Sequence, residues 1–92
     1  MKYQITYDLN KLGQNYKLVE RVILEVSDGK PIKPLETVWL IKSWAQSADD
    51  ILYLIQTAID NNDGLLICPI KGDCAWLLGS PVSTDIMRFF TE

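Results

Sequence analysis

Histidine is missing from this 92-residue chain altogether, and cysteine is reduced to Cys68 and Cys74. Without histidine there is no Ser-His-Asp triad, no histidine general base and no imidazole pH switch. A Cys/His metal site is excluded on the same ground, and the spacing of the two cysteines fits no zinc pattern. Any catalysis must then rest on carboxylates, on a metal held by oxygen ligands, or on tyrosine and lysine. Cys68 lies in an apolar run, where a free cysteine is expected to behave as a small hydrophobe. A disulfide to Cys74 is the other reading, disfavoured because cytosolic disulfides are rare.

Positive charge is also in short supply. Nine Lys and Arg face twelve Asp and Glu, a net charge of -3. Affinity for phosphate chains comes largely from lysine and arginine, so a generally basic nucleic-acid-binding surface is not expected. Local patches such as Lys30, Lys33 and Lys42 stay open. No apolar run approaches the roughly 20 residues that span a bilayer. The opening Met1-Lys2-Tyr3-Gln4-Ile5 lacks the apolar core of a signal peptide, so a cytoplasmic location is expected. There are no internal repeats and no low-complexity tract.

What is present is enough apolar residue, 48% of the chain, for one core. At this length one domain is expected over residues 1–92, with a core at about 2–70 and an extension at about 71–92. Residues 2–8 alternate, Tyr3, Ile5 and Tyr7 against Lys2, Gln4 and Thr6, which predicts a strand. From about Asn15, a plausible N-cap, the period becomes helical through Leu18, Val19, Val22, Ile23 and Val26, and Ser27-Asp28-Gly29 supplies the stop. Pro31 and Pro34 suit an edge strand near 31–35, turning at Glu36 into a buried strand at 37–43. Ser47 followed by Asp49 and Asp50 marks a second helix start, with an apolar stripe from Ile51 to Ile59. Leu65–Ile70 reads as a further strand, placed at an edge by Pro69. The tail holds Trp76-Leu77-Leu78, a Gly79-Ser80-Pro81 break and a short helix around Ser83–Phe90.

The order strand, helix, two strands, helix, strand predicts an α+β fold, a ferredoxin-like β-α-β-β-α-β sandwich with a C-terminal tail. In such a fold the first and third strands lie side by side in the centre. The second sheet face carries no helix of that unit, and half-exposed strands should alternate. The strands at 37–43 and 65–70 do not. Trp39, Ile41 and every second residue of 65–70 are therefore expected to need cover, from the tail and from a second copy of the chain.

Asp8, in the polar turn after the first strand, is the leading candidate for chemistry. Two Asp8 carboxylates meeting across a two-fold axis, with Asn10 and main-chain carbonyls, would provide the hard oxygen ligands that magnesium prefers. Such an ion activates water against a phosphodiester. The alternative is an ordinary turn aspartate bonded to its own backbone. Tyr7 either stacks a base, orients the carboxylate, or is core with a wet hydroxyl. Glu36 either faces a shared groove or is simply solvated. Of the tryptophans, Trp39 reads as core or interface, Trp44 as the exposed one available for stacking, and Trp76 as the anchor of the tail. Asp60-Asn61-Asn62-Asp63 does not match a calcium loop with ligands at alternate positions, and helix termination accounts for it better.

Three segments, Tyr7-Asp8-Leu9-Asn10, Glu36-Thr37-Val38-Trp39-Leu40-Ile41-Lys42 and Asp63-Gly64-Leu65-Leu66-Ile67, together resemble a known group. They look like the small ferredoxin-like superfamily that contains the CRISPR-associated partner of the spacer integrase and the virulence-associated protein D (VapD) ribonucleases. Within it they are most similar to short SinR-like bacterial and phage proteins. The resemblance spans about residues 2–70. It implies a homodimer with Asp8 in metal-dependent cleavage of RNA or DNA using Mg²⁺ or Mn²⁺, or a scaffold in which that aspartate is dispensable. The chain departs from better-known members in being acidic and in reading Asn10-Lys11-Leu12-Gly13-Gln14-Asn15 where they have an arginine-containing start to the first helix. That departure argues against duplex binding. Two functions follow as expectations. One is a weak metal-dependent nuclease. The other is a non-catalytic dimeric binding module: a regulator, a phage or mobile-element factor that antagonises a host defence protein, or a nucleotide sponge.

Overall fold

A computed structural model of the chain describes residues 1–9, 16–60 and 62–91. The proposed metal ligand Asn10, the cap Asn15 and the whole 10–15 connection lie outside the described residues. Strand β1 covers Lys2–Asp8, helix α1 Tyr16–Val26, β2 Ile32–Leu35, β3 Val38–Lys42, α2 Ala48–Ile55, β4 Gly64–Pro69 and α3 Val82–Thr91. The four strands form one antiparallel sheet in the order β2-β3-β1-β4. The two central strands, β1 and β3, carry no proline, and the proline-bearing β2 and β4 are the edges. That placement spares the ladder donors that proline removes.

Alternation along β1 sorts the sheet into two faces. Tyr3, Ile5 and Tyr7 are buried against α1 and α2, with Val19 and Ile23 from one helix and Ile51 and Ile55 from the other. The β1–β3 register sets Tyr3 opposite Ile41 and Ile5 opposite Trp39. Trp39 and Ile41 therefore belong to this helix-covered core, and the expectation that they lie on the second face is corrected. The residues that turn to the second face are Val38, Leu40 and Lys42.

The tail does fold over that second face. Leu40 is buried there with Ile86 and Phe89 of α3, and Ile32, Ile70, Trp76 and Phe90 pack around them. Trp76 anchors the segment twice, stacking on Phe90 at 5.9 Å and donating its indole N–H to Ser83 Oγ at 3.2 Å. Cover is incomplete: Cys68, on the same face of β4, is exposed. It is not the buried small hydrophobe that its apolar strand implies, because β4 is an edge whose second face α3 does not reach.

Local signals act as their chemistry dictates. Ser47 caps α2 by accepting the Asp50 N–H at 3.2 Å, and Asp49 and Asp50 sit in the first turn. Asp63 accepts the Asp60 N–H at 2.8 Å and its own N–H returns to the Asp60 carbonyl at 3.1 Å, so these acids close a turn. No helix among the described residues is long and apolar enough to cross a membrane.

Ile23 is fully buried between helix and sheet, whereas Leu77 is 98% exposed. Ile23→Ala is expected to cost about 3 kcal/mol through lost transfer energy and a residual cavity. Leu77→Ala should change stability by less than about 0.5 kcal/mol. Urea unfolding followed by circular dichroism distinguishes the two.

Candidate functional site

The second face reads as three rows of side chains running across the strands. The first is Leu35, Val38, Thr6 and Leu66, one residue from each strand in register. The next is Ile32, Leu40, Gln4 and Cys68, and the last holds Lys42 and Lys2. Helix α3 and the tail cover the lysine end and part of the middle row. The first row is left open, with Leu35 55% and Leu66 61% exposed. A groove of about 190 Å³ runs from this row under the tail, lined by Gln4, Leu35, Val38, Leu40, Trp76 and Phe90 among others.

Asp8 stands at the open end of that face. It is exposed, it follows Thr6 on the same side of β1, and its register partner is Gly64, which brings no side chain beside it. Tyr7 points the other way. Its ring is buried against Tyr16 at 5.9 Å, and its hydroxyl accepts the Trp39 indole N–H at 3.2 Å. Adjacent residues on a strand face opposite sides, so a ring in the first core cannot also orient Asp8 on the second.

The β2–β3 turn lies at the same end of the sheet as Asp8, since Tyr7 N–H donates to the Thr37 carbonyl at 3.2 Å. Glu36 is exposed in that turn. Trp44 is far from both in the fold. It follows β3 at the end where Ser43 N–H bonds the Met1 carbonyl, and it is 67% exposed. The structure thus groups Asp8 with Glu36 and separates them from Trp44.

No group of three or more His, Cys, Asp or Glu that would hold an ion occurs among the described residues. Magnesium is commonly held by one or two carboxylates, with water and substrate oxygens completing its shell, so Asp8 and Glu36 are the donors that this end of the sheet offers. No family model, curated protein or solved structure matches this chain.

Residue-by-residue reading overlooked the lysine row. Lys2 and Lys42 are direct cross-strand partners, and both ammonium groups lie over the Phe89 ring, at 5.5 and 5.8 Å from its centroid. Pairing the first strand with the 37–43 strand in register would have revealed it.

At the Trp44 end the strongest polar contact is Tyr3 Oη donating to the Ala45 carbonyl at 2.8 Å, which ties the segment bearing Trp44 to the core. Burial, reinforced by the negative charge of Asp50, raises the Tyr3 pKa above its ordinary value of 10.0. The folded chain holds this proton more tightly than the unfolded one. The corresponding stability is complete below about pH 10 and is lost as pH rises through the raised value. Tyr3→Phe should cost about 1 kcal/mol at neutral pH, the net worth of the hydrogen bond. It should also show a smaller loss of stability between pH 9.5 and 11 than the parent chain, measured by denaturant midpoints.

Proposed function

We propose that this chain is a ferredoxin-like binding module that acts as a homodimer, pairing through the open part of the second sheet face with the tail at its border. The chain order β1-α1-β2-β3-α2-β4, the sheet order β2-β3-β1-β4 and the placement of α1 and α2 on one face support the ferredoxin-like assignment.

The observation that carries the dimer is the uncovered row of Leu35, Val38, Thr6 and Leu66 across all four strands. A two-fold interface must be complementary to itself, and a largely apolar row meets that condition. The adjoining 190 Å³ groove offers a recess for a side chain of the second copy. Binding of a further partner, a protein or a short RNA, would then use the surface that the pair creates.

Metal-dependent RNA cleavage is a second reading, favoured by one observation. Asp8 lies on the same face as the pairing row and at its open end, so a two-fold axis near Thr6 brings two carboxylates toward each other. Asp8 and Glu36 of each copy would be the oxygen donors for Mg²⁺ or Mn²⁺.

Size-exclusion chromatography with light scattering at micromolar concentration should report twice the chain mass. Leu66→Lys should convert it to monomer with an unchanged circular dichroism spectrum, and a monomeric parent chain would refute the pairing. Incubation of the dimer with single-stranded RNA and Mn²⁺ separates the two readings. Cleavage that Asp8→Asn abolishes without dissociating the dimer supports catalysis, while no cleavage, or equal cleavage by both proteins, leaves the binding module.

A further inference from the structure

We propose that Cys68 and Cys74 form a reversible disulfide that fastens the start of the C-terminal tail to strand β4. They are the only two cysteines of the chain, both thiols are free, and both are exposed. Exposure is the unusual part, since cysteine is among the most buried of residue types.

The sheet and the turn after it bring the two together. Cys68 stands opposite Gln4 on β1, and two residues further on the Ile70 N–H donates to the Lys2 carbonyl at 2.8 Å. Gln4, Cys68 and Ile70 therefore share the second face, with Cys68 next to Gln4 across the ladder and next to Ile70 along the strand. Those neighbours lie about 5 and 7 Å away between Cα atoms. Gly72, at φ 94°, takes a left-handed conformation that glycine adopts without strain, and there the chain turns back. Cys74 follows two residues later as a wall of the 190 Å³ groove that Gln4 and Ile70 also line. The returning chain thus sets Cys74 over the two residues that flank Cys68. A disulfide spans Cα atoms about 4.4–6.8 Å apart, the spacing of immediate neighbours on one face.

The bond would tie down a stretch that the fold leaves loose. Residues 71–75 are all exposed, and none makes a hydrogen bond or ion pair with another described residue. The anchor of the tail comes only at Trp76, through Phe90 and Ser83. Disulfides of the cytosol are rare as permanent staples, and those that occur are usually transient or redox-sensing. Exposure suits that use, because an oxidant and a reducing thiol must both reach the sulfurs.

Hydrogen peroxide is a sufficient oxidant. One thiolate attacks a peroxide oxygen and breaks the O–O bond, giving a sulfenic acid and, with a proton from solvent, water. The second thiolate attacks the sulfenic sulfur. The S–S bond forms, the S–O bond breaks, and the departing hydroxide is protonated to a second water. The two sulfurs lose two electrons and the peroxide gains them. Glutathione reverses the bond through a mixed disulfide.

Titration of the reduced full chain with hydrogen peroxide, at low micromolar protein concentration, tests this. The intact mass should fall by about 2 Da, the two hydrogens lost, and both free thiols should disappear together. Tryptic cleavage after Lys71 separates the cysteines, so a digest without reductant should hold the two peptides linked and release them with dithiothreitol. Amide exchange at Asp73, Cys74 and Ala75 should slow about tenfold in the oxidised chain. Cys74→Ser should lose the mass change and carry its remaining thiol on to sulfinic acid. The Leu66→Lys variant should form the same bond, so the result does not depend on pairing. Persistence of both thiols, their separate conversion to sulfinic acids, or a link formed only between two chains would each overturn the proposal.

Discussion

Everything in this fold hangs on the antiparallel pairing of β1 with a neighbour on each side. Lys2–Asp8 is paired along its length by Lys42–Val38 on one side and Pro69–Gly64 on the other. Its alternation is therefore imposed on the whole sheet. Tyr3, Ile5 and Tyr7 decide which residues of β3 and β4 meet α1 and α2. Lys2, Gln4, Thr6 and Asp8 decide which face α3 or remain open. A slip of one residue would exchange the two sets and set Lys2, Gln4, Thr6 and Asp8 against Ile23 and Ile51. Register here is thus specified by burial, as expected where one sheet face is fully covered.

The second face inherits its character from the same constraint. Because α3 is only ten residues long and leans on β2 and the Lys2–Lys42 row, it cannot cover four strands. One end of the face becomes a site where cations crowd around aromatic rings. The other end keeps an apolar row and a carboxylate. Both features are consequences of one short helix placed off-centre on a sheet wider than itself.

Much of this was legible in the residues. Period two in Lys2–Asp8, the Ser47 cap, and proline in the strands that proved to be edges all act through local chemistry that does not wait for tertiary structure. The tail's return over the sheet was legible too, from the surplus of apolar residues in the later strands. What could not be read was which of those residues needed the cover. Val38-Trp39-Leu40-Ile41 is apolar at every position, so periodicity gives no phase, and the phase comes only from pairing Ile5 with Trp39. Cys68 failed for a related reason: an apolar strand looks buried whether it sits at the centre or at an edge with one face bare.

The site residues divide along the same line. Asp8 was found from a local feature, a carboxylate where a strand gives way to a polar turn, and the fold leaves it exposed where such a residue can act. Tyr7 and Trp44 were selected by residue type, and type does not say that one ring is locked under Trp39 while the other stands at the far end of the sheet. The patch of Lys30, Lys33 and Lys42 was legible in the residues, and the fold adds Arg88 to it from the distant helix α3. Charge clusters built by register and helix docking are non-local by nature, and in an acidic protein the net charge conceals them.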